Sequence, residues 1–200
     1  MEIREATPSD APALATLHMR NLPPGESEFT QLGRRVVERF YRNAVARAAA
    51  VAFCAVDGGA VCGAVLVTRN VRAMFSRALL LDARDAAIFV ASAEPRGLLG
   101  AIVTKVRSRA VLMPALPEVV YLMVDARYRN RRIGKLLNAR AHAWFLEQRA
   151  PFYEVNVHAD NDAACRIYFG IGHRVVREYV KDGVTTYTLR KDMRPAESPE

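Results

Sequence analysis

Hydrophobic and polar positions alternate with two different periods along the chain, which predicts a protein built from both strands and helices. Residues 2–7 alternate with period two, which is typical of a short edge strand. Helical spacing follows a start signal at Ser9 or Asp10, and it returns over residues 31–46. The broad apolar face of the second of these predicted helices carries Leu32, Val36, Phe40 and Val45.

Glycine-containing turns predict two β-hairpins. Residues 50–68 contain two apolar runs on either side of an Asp-Gly-Gly turn at residues 57–59, which is the strongest hairpin signal in the chain. A second hairpin is predicted over residues 173–193, with its turn at the Asp-Gly pair of residues 182–183. Two antiparallel strand pairs are therefore expected.

The segments between the hairpins continue the alternation of strand and helix. Residues 118–124 form an apolar run typical of a buried strand, and residues 124–145 predict a turn followed by a helix. Another strand is predicted at residues 152–157, and a short helix ended by glycine at residues 161–172. This order of elements, without an internal repeat, predicts an α/β protein.

A single domain is predicted over residues 1–193. The chain has 200 residues, of which 51% are hydrophobic, and this is enough apolar material for one sizeable core. Segments 84–92 and 96–111 have helical patterns with weakly marked ends. The tail at residues 194–200 is predicted to be disordered.

The chain is strongly basic, which favours an anionic partner. Its 29 lysine and arginine residues exceed its 21 aspartate and glutamate residues, for a formal net charge of +8. Such a charge favours nucleic acid, a phosphorylated ligand or a membrane surface. No apolar run approaches the roughly 18 residues that span a bilayer, and the N-terminus lacks the apolar core of a signal peptide. These patterns predict a cytoplasmic protein without membrane association.

Neither the cysteine nor the histidine spacing predicts a metal site. Cys54, Cys62 and Cys165 lie far apart and form no CxxC pair, which is typical of reduced thiols rather than of a disulfide or zinc framework. The 4 histidines show no ligand spacing either. We therefore expect no bound metal.

Basic residues concentrate between the strand that ends at Val124 and the helix predicted to begin near Arg131. Basic side chains are unfavourable at a helix start because the helix dipole is already positive there, so the arrangement points to a bound anion. Free amides at such a start bind anions, and Gly134 would let a ligand approach the backbone closely. Further donors would come from Arg127, Arg129, Arg131 and Arg132. The alternative is a solvated basic turn before a core-packing helix.

The common nucleotide-binding motifs do not account for this turn. Lys135 follows Gly134 but is itself followed by Leu136, and the upstream glycine of a GxxxxGKS/T motif is missing. A GxGxxG motif is absent as well. The anion site therefore differs from a P-loop and from a dinucleotide-binding turn.

The turn resembles the acetyl-CoA-binding segment of the GNAT N-acetyltransferase superfamily, which typically reads V-x-P-x-Y-R-G-x-G-I-G-x-x-L. Ala126 stands where that family commonly has proline, and Arg132 replaces the first glycine of its core. An arginine there must point away for a pyrophosphate to approach, or contact a phosphate itself. The matching positions are Val124, Tyr128, Arg129, Ile133, Gly134 and Leu137.

A second segment, residues 161–173, resembles the family pattern N-x-x-A-x-x-x-Y-x-x-x-G-F. His173 replaces the final phenylalanine, and the matching positions are Asn161, Ala164, Tyr168 and Gly172. The N-terminal segment and the first hairpin also resemble the family, and residues 70–117 are the least constrained. The resemblance implies an α/β fold with a mixed, mostly antiparallel sheet of about six or seven strands. Such a sheet is splayed in the middle and has helices on both faces.

The resemblance also implies how the chain would bind acetyl-CoA. The backbone of Leu122, Met123 and Val124 would hydrogen-bond the pantetheine arm. Lys135 would help to bind the phosphates or is simply solvated, and Asn161 would cap a helix or face the cofactor. The pyrophosphate would be held by Arg129, Asn130, Arg131, Arg132, Ile133 and Gly134.

Direct acetylation of an amine needs a base for the ammonium proton and an acid for the departing thiolate. The resemblance makes Tyr168 the candidate acid, with an ordinary core tyrosine as the alternative. Glu118 is the candidate base, and Glu154, His158 or a water molecule are the other options. The implied activity is acetyl transfer to a primary amine of a small molecule, an amino sugar or a peptide.

Two other functional classes are considered. A non-catalytic acyl-CoA-binding (sensor) domain would keep the turn without a functional acid, so Tyr168 argues against it and Arg132 argues for it. A nucleic-acid-binding protein would explain the charge, but the arginines are not organised with exposed aromatic residues into a recognised module. We therefore expect acetyl-CoA and an amine acceptor as partners rather than nucleic acid. A homodimer remains open.

Overall fold

The structure of the protein is a computed structural model, which describes residues 1–22, 28–31, 33–78, 115–181 and 183–193. Some of the predicted features lie outside the described residues. They are the helical segments at 84–92 and 96–111, the tail at 194–200, and the positions of Leu32 and Asp182.

The elements follow the predicted order. The strands are β1 (Glu2–Glu5), β2 (Val51–Asp57), β3 (Ala60–Thr68), β4 (Glu118–Val124), β5 (Phe152–His158), β6 (Arg174–Lys181) and β7 (Val184–Asp192). The helices are α1 (Ala11–Asn21), α2 (Glu28–Gln31), α3 (Arg34–Ala46), α4 (Val71–Ala78), α5 (Ile133–Glu147) and α6 (Asp162–Gly170). Two short 3-10 turns cover Pro8–Asp10 and Ala126–Tyr128.

The strands form one sheet of seven strands in the order β1-β2-β3-β4-β5-β7-β6. Neighbouring strands in the described part of the chain run antiparallel, apart from the parallel pair β4 and β5. The predicted mixed, mostly antiparallel sheet is therefore confirmed, and β1 is an edge strand as predicted. Both predicted hairpins are present, and Gly58 and Gly59 adopt the positive φ angles of 56° and 80° that a tight hairpin turn requires.

The sheet splays between β4 and β5. These strands pair at Glu118 with Glu154 and at Val119 with Val155, and the described residues beyond them do not pair across this gap. On its other side β4 continues to pair with β3, with a register shift between Leu66 and Val67. The predicted splay is therefore confirmed, and it leaves one edge of β4 open over most of its length.

A bulge in β4 accompanies the splay. The side chains of Val120 and Tyr121 both pack against the core on the α1 side of the sheet, although consecutive strand residues normally point to opposite faces. Leu122 and Val124 then pack on the opposite face, and Met123 on the α1 face. The extra residue reverses the inward and outward alternation at the point where β4 leaves β5.

Helices cover both faces of the sheet, as predicted, and each face has its own core. On one face α1, α3 and α4 bury a cluster that includes Leu14, Phe40 and Met74. On the other face α5 and α6 bury a cluster that includes Leu137 and Tyr168. The gap between β4 and β5 therefore lies between two helical layers.

The predicted apolar face of α3 is wrong in part. The buried residues are Val37, Phe40, Tyr41 and Ala44, whereas Val36 and Val45 are half-buried. Tyr41 takes an interior position because its hydroxyl group has a partner there. It lies 2.9 Å from Nδ1 of His18, which is itself fully buried on α1. A buried hydrogen bond between two amphipathic rings is not visible in a hydropathy pattern.

Candidate active site

The open edge of β4 presents backbone groups to the gap. The amide of Asp125, just after β4, donates a hydrogen bond of 2.9 Å to the carbonyl of Cys62 on β3. Because amides alternate along a strand, those of Leu122 and Val124 point away from β3 and into the gap, and that of Met123 points toward β3. Two of the three predicted pantetheine-binding residues therefore direct amide groups into the splay.

The basic turn after β4 has an unusual backbone. Asn130 and Arg132 both adopt the left-handed conformation, with φ angles of 64° and 61°. Helix α5 begins at Ile133, two residues later than the predicted start near Arg131, because a residue with positive φ cannot continue a right-handed helix. The turn places basic side chains beside the first free amides of α5, and such a combination favours anions.

The arginine side chains of the turn are exposed. The Arg131 guanidinium lies 5.1 Å from the ring centre of Tyr128, and that of Arg127 lies 6.0 Å from it. In the described part of the chain no carboxylate pairs with Arg131 or Arg132. Arg132 therefore occupies the family's glycine position with a glycine-like backbone and an outward side chain.

Asp125 is buried and holds the turn together. Its carboxylate accepts hydrogen bonds from the backbone amide, Nε and Nη2 of Arg127 at 3.0, 3.0 and 2.9 Å, and from Nη1 of Arg20 on α1 at 3.3 Å. The hydrogen bonds from Arg127 hold the pKa of Asp125 well below its usual range. Nη2 of Arg129 also donates to Oδ1 of Asn21 at 3.2 Å, so two contacts tie the turn to the end of α1.

Gly134 lies where α5 meets α6. A Cβ atom at this position would be 3.4 Å from Cδ1 of Ile167 and 3.9 Å from Cγ2 of Val124. These are ordinary contact distances, so the first turn of α5 has room for a methyl group but not for a large side chain. Glycine here keeps the region between α5 and α6 open.

A cavity of about 330 Å³ continues from this point between α5 and α6. Lys135, Arg166 and Lys191 contribute positive charge to its lining. Asn138 also lines it, and the Oδ1 atom of this buried side chain has no hydrogen-bond partner among the described residues. The charges of its lining favour an anionic ligand.

Tyr168 lies on α6, in the core on the α5 and α6 face of the sheet. Its side chain is buried, and burial raises its pKa, which favours the protonated phenol. The His173 ring packs edge-on against it at 5.2 Å, and Nδ1 of His173 donates to the Tyr168 carbonyl at 3.1 Å. The phenol therefore carries a proton at neutral pH, as a general acid must, but its raised pKa makes it a weaker acid than an exposed tyrosine.

Glu118 lies at the start of β4, on the opposite face of the sheet. Its pKa is raised to about 7, mainly by burial and to a smaller extent by the charge of Glu154, against the lowering effect of a hydrogen bond of 3.3 Å from Nδ2 of Asn156. Such a carboxyl group is partly ionised at neutral pH and is suited to act as a general base. Glu154 is less available, because Nη2 and Nε of Arg190 donate to its Oε1 at 2.6 and 2.9 Å.

A second cavity, of about 300 Å³, surrounds Glu118 on the α4 side of the sheet. Phe75, Tyr121 and Tyr179 provide aromatic surface in its lining, and Arg177 on β6 also lines it. The gap between β4 and β5 separates this cavity from the layer that contains Tyr168. The candidate base and the candidate acid thus lie on opposite faces of the splayed sheet.

Other predicted residues occupy structural positions. Asn161 caps α6, with its side-chain oxygen accepting from the Ala164 amide at 3.1 Å, and its side chain is exposed. His158 ends β5 and is half-buried. For His158 the structure records a backbone contact, in which its carbonyl accepts from Sγ of Cys165 at 3.7 Å.

Several residues of the candidate site were not found from the sequence. Asp125 carries a recognisable signal, because an aspartate directly after a strand favours a side-chain-capped turn. Asn156 and Arg177 carry no such signal, since β5 and β6 each contain several other polar residues. Their assignment to one cavity depends on β5, β7 and β6 being neighbours, which the sequence does not specify.

Comparisons with known proteins confirm the family resemblance and the fold. Residues 13–172 match the sequence model of the Acetyltransferase (GNAT) family. No curated protein sequence gives a significant match.

Solved structures resemble the whole described fold. An N-acetyltransferase from Staphylococcus aureus Mu50 superposes with a TM-score of 0.64 and 13% identity, over 96% of this chain and 100% of that chain. The PaiA N-acetyltransferase from Thermoplasma acidophilum, solved in complex with coenzyme A, gives 0.61 and 12% over 96% and 100%. A ribosomal-protein-alanine N-acetyltransferase from Brucella melitensis gives 0.60 and 14% over 96% and 100%. At these identities the likeness concerns the fold.

In the described part of the chain no helix is long and apolar enough to cross a membrane. Among the same residues no group of three histidine, cysteine, aspartate or glutamate side chains is placed to hold a metal ion.

Proposed function

The chain belongs to the acetyltransferase (GNAT) family, and we propose that it transfers an acetyl group from acetyl-CoA directly to a primary amine. The observation that carries this proposal is the splay between β4 and β5, with an anion-binding turn at its mouth and ionisable groups on both sides. An acyl donor can enter from the α5 side and an amine from the α4 side. The two would meet in the gap.

Acetyl-CoA would bind along the turn and the open edge of β4. The concave backbone from Arg129 to Gly134 would hold the pyrophosphate, and the exposed arginines would add charge. The amides of Leu122 and Val124 would bond the pantetheine arm. The basic cavity lined by Lys135 and Arg166 would accept the adenosine part and its phosphate.

Proton transfer would be divided between the two faces of the sheet. Glu118, ionised, would take a proton from the ammonium group, which frees the amine lone pair to attack the thioester carbonyl. As the carbon–sulfur bond breaks, the Tyr168 hydroxyl would give its proton to the departing thiolate. The nitrogen loses its second proton as the amide forms, and this proton would pass through solvent to the Tyr168 phenolate. Glu118 would release its proton to solvent, so that each group ends as it began.

Titration calorimetry with acetyl-CoA tests the donor site. We expect binding by the wild type and its loss in a variant that combines Arg129→Ala with Gly134→Trp. The first change removes a phosphate donor, and the second fills the entrance between α5 and α6. Arg174→Ala, which removes an exposed arginine on β6 far from the turn, is the matched control and should bind normally. Absence of binding by the wild type contradicts the proposal.

Tyr168→Phe separates an enzyme from a non-catalytic acyl-CoA-binding domain. Coenzyme A release, followed with a thiol reagent over a panel of amines, should fall by about 10²–10⁴ in this variant. Its affinity for acetyl-CoA should be retained, because the ring stays in place. A wild type that binds acetyl-CoA but releases no coenzyme A with any amine would be a sensor instead.

A further inference from the structure

The cavity around Glu118 indicates which kind of acceptor would bind, and an inference drawn from it rests on the proposed function. A row of polar side chains crosses four strands on this face of the sheet. Glu118 pairs in register with Glu154 on β5, Asn156 follows on the same face, and Thr188 and Arg177 continue the row on β7 and β6. The hydrogen bond of 2.8 Å from Oγ1 of Thr188 to Oδ1 of Asn156 confirms that these side chains share a face.

Two opposite charges in this row are left for a ligand. The carboxylate of Glu154 is neutralised by Arg190 at 2.6 Å. Glu118, in contrast, receives a hydrogen bond from the neutral amide of Asn156 and no ion pair from the described residues. Arg177 lines the same cavity, and no carboxylate in the described part of the chain pairs with it.

We propose that the amine acceptor is a small molecule that also carries a carboxylate, with its ammonium group at Glu118 and its carboxylate at Arg177. The molecule is of the amino-acid type. An ammonium group placed against a carboxylate and a carboxylate placed against a guanidinium group satisfy both unpaired charges at once. A polyamine would satisfy Glu118 but would bring a second positive charge toward Arg177.

The dimensions of the cavity agree with such a ligand. Adjacent strands lie about 4.8 Å apart, and Arg177 is in register with Asn156, two residues beyond Glu154. Three strand spacings and about 6.6 Å along the strand place the backbones of Glu118 and Arg177 roughly 16 Å apart. Both side chains line the one cavity of about 300 Å³, which brings their charged ends closer than their backbones. This volume is at the lower end of the range for small-molecule pockets, so it fits a single residue-sized molecule.

The apolar part of the cavity indicates the third property of the ligand. Val71 and Phe75 of α4 and Tyr121 of β4 line the side away from the polar row. These groups would bury an aliphatic or aromatic side chain. An amino acid with an apolar side chain therefore matches all three parts of the lining.

Matched pairs of amines test the proposal. Leucine and phenylalanine are compared with leucinamide and phenylalaninamide, and with spermidine, by coenzyme A release at a saturating acetyl-CoA concentration. We expect the free acids to have kcat/KM values at least about tenfold above those of their amides, because the amides lose the charge-assisted hydrogen bonds to Arg177. Spermidine should be a poorer acceptor than the free acids.

Arg177→Gln should remove this preference while leaving the KM for acetyl-CoA unchanged. Arg177 is exposed on an edge strand, so the substitution should not prevent folding. Arg174→Gln is the matched control, because Arg174 is on the same strand but pairs with Asp192 at 2.9 Å outside the cavity. The control should keep the preference for free acids.

The outcomes separate this inference from the function it rests on. Amides or spermidine acetylated as well as the free acids overturn the inference and leave the acetyltransferase activity standing. A preference for free acids that persists in Arg177→Gln overturns the inference in the same way. Absence of coenzyme A release with every amine overturns the proposed function, and this inference with it.

Discussion

At the residue scale, burial shifts the pKa values of Glu118 and His173 in opposite directions. It raises the pKa of Glu118 to about 7 and lowers the pKa of His173 to about 4. In both cases the neutral form is favoured, because the charged form loses hydration. The first residue is expected to govern the pH dependence of catalysis, and the second that of stability.

Acetyl transfer should increase with pH as Glu118 loses its proton. We expect kcat/KM to rise tenfold per pH unit below about pH 7 and to level off above it, since the ionised carboxylate is the active form. Glu118→Gln should lose this rising limb, with rates lower by about 10²–10⁴. The measurement is a pH–rate profile of coenzyme A release. An unchanged profile in this variant contradicts the assignment, and Glu178→Gln on exposed β6 serves as the control.

His173→Phe should make the protein more resistant to acid. Nδ1 of His173 donates to a carbonyl, whereas Nε2 is buried without a partner among the described residues. Because its folded pKa of about 4 lies below the unfolded value of about 6.5, its contribution to stability is complete above pH 6.5. That contribution is lost progressively as the pH falls toward 4.

Denaturant unfolding at pH 7 and at pH 4.5 provides the measurement. The wild type should lose more stability than His173→Phe between these values, by up to about 3 kcal/mol. Between pH 7 and pH 4.5 Glu118 has the opposite effect on stability, because its protonation removes the penalty for burying its charge. The comparison is therefore made between the two proteins and not on the wild type alone. Equal losses would show that His173 does not contribute to acid sensitivity.

At the scale of elements, the turn between β4 and α5 depends on two left-handed residues, the second of which is Arg132, and on one buried carboxylate. Arg132 ends the turn with a φ angle of 61°, and Asp125 ties it to α1. The first feature sets where the helix begins. The second sets the position of the amides relative to the sheet.

The effect of substitutions at Arg132 on the free energy of unfolding should depend on backbone freedom more than on charge. Arg132→Gly should change the free energy of unfolding little, because relief of left-handed strain, about 1 kcal/mol, is offset by greater freedom of the unfolded chain. Arg132→Val should destabilise by more than about 1 kcal/mol, since a β-branched residue is strained at positive φ. The same substitutions at Arg131 are the control, and valine should be tolerated there. Valine tolerated equally at both positions would contradict the backbone argument.

Asp125→Ala should weaken acetyl-CoA binding although Asp125 is not proposed to touch the ligand. Loss of the carboxylate frees Arg127 and breaks the contact with Arg20, so the amides of the turn lose their fixed positions. We expect the calorimetric Kd to rise about tenfold, with a stability loss of about 1–3 kcal/mol. Asp192→Ala, which removes an exposed carboxylate, is the control. An unchanged Kd in a destabilised Asp125→Ala protein would limit Asp125 to a structural role.

The architecture and the position of the basic turn could be predicted from the sequence, for identifiable reasons. Strand and helix periods, the Asp-Gly turns and the arginine-rich helix start are local signals, and each led to a correct element. The resemblance to a family then provided the splay, which no periodicity encodes. Tyr41 was missed in the core because a phenol group counts as half polar until its partner His18 is known.

The acceptor side of the site could not be predicted in the same way. Asn156 and Arg177 belong to different strands, and they come together because β7 lies between β5 and β6. Strand order across a sheet is a long-range property, and the chain order β5, β6, β7 suggests a different neighbour for β5. The residues that we propose to select the acceptor therefore depend on whole-molecule topology.

The splay divides the sheet into a part of four strands, β1 to β4, and a part of three strands, β5, β7 and β6. The two parts are joined where Glu118 and Val119 of β4 pair with β5. An acyl donor bound between β4 and β5, with hydrogen bonds to both strands, would replace the backbone hydrogen bonds that the splay removes. Acetyl-CoA would then stabilise the sheet as well as react. The two parts of the sheet would move most freely relative to each other after the product has left.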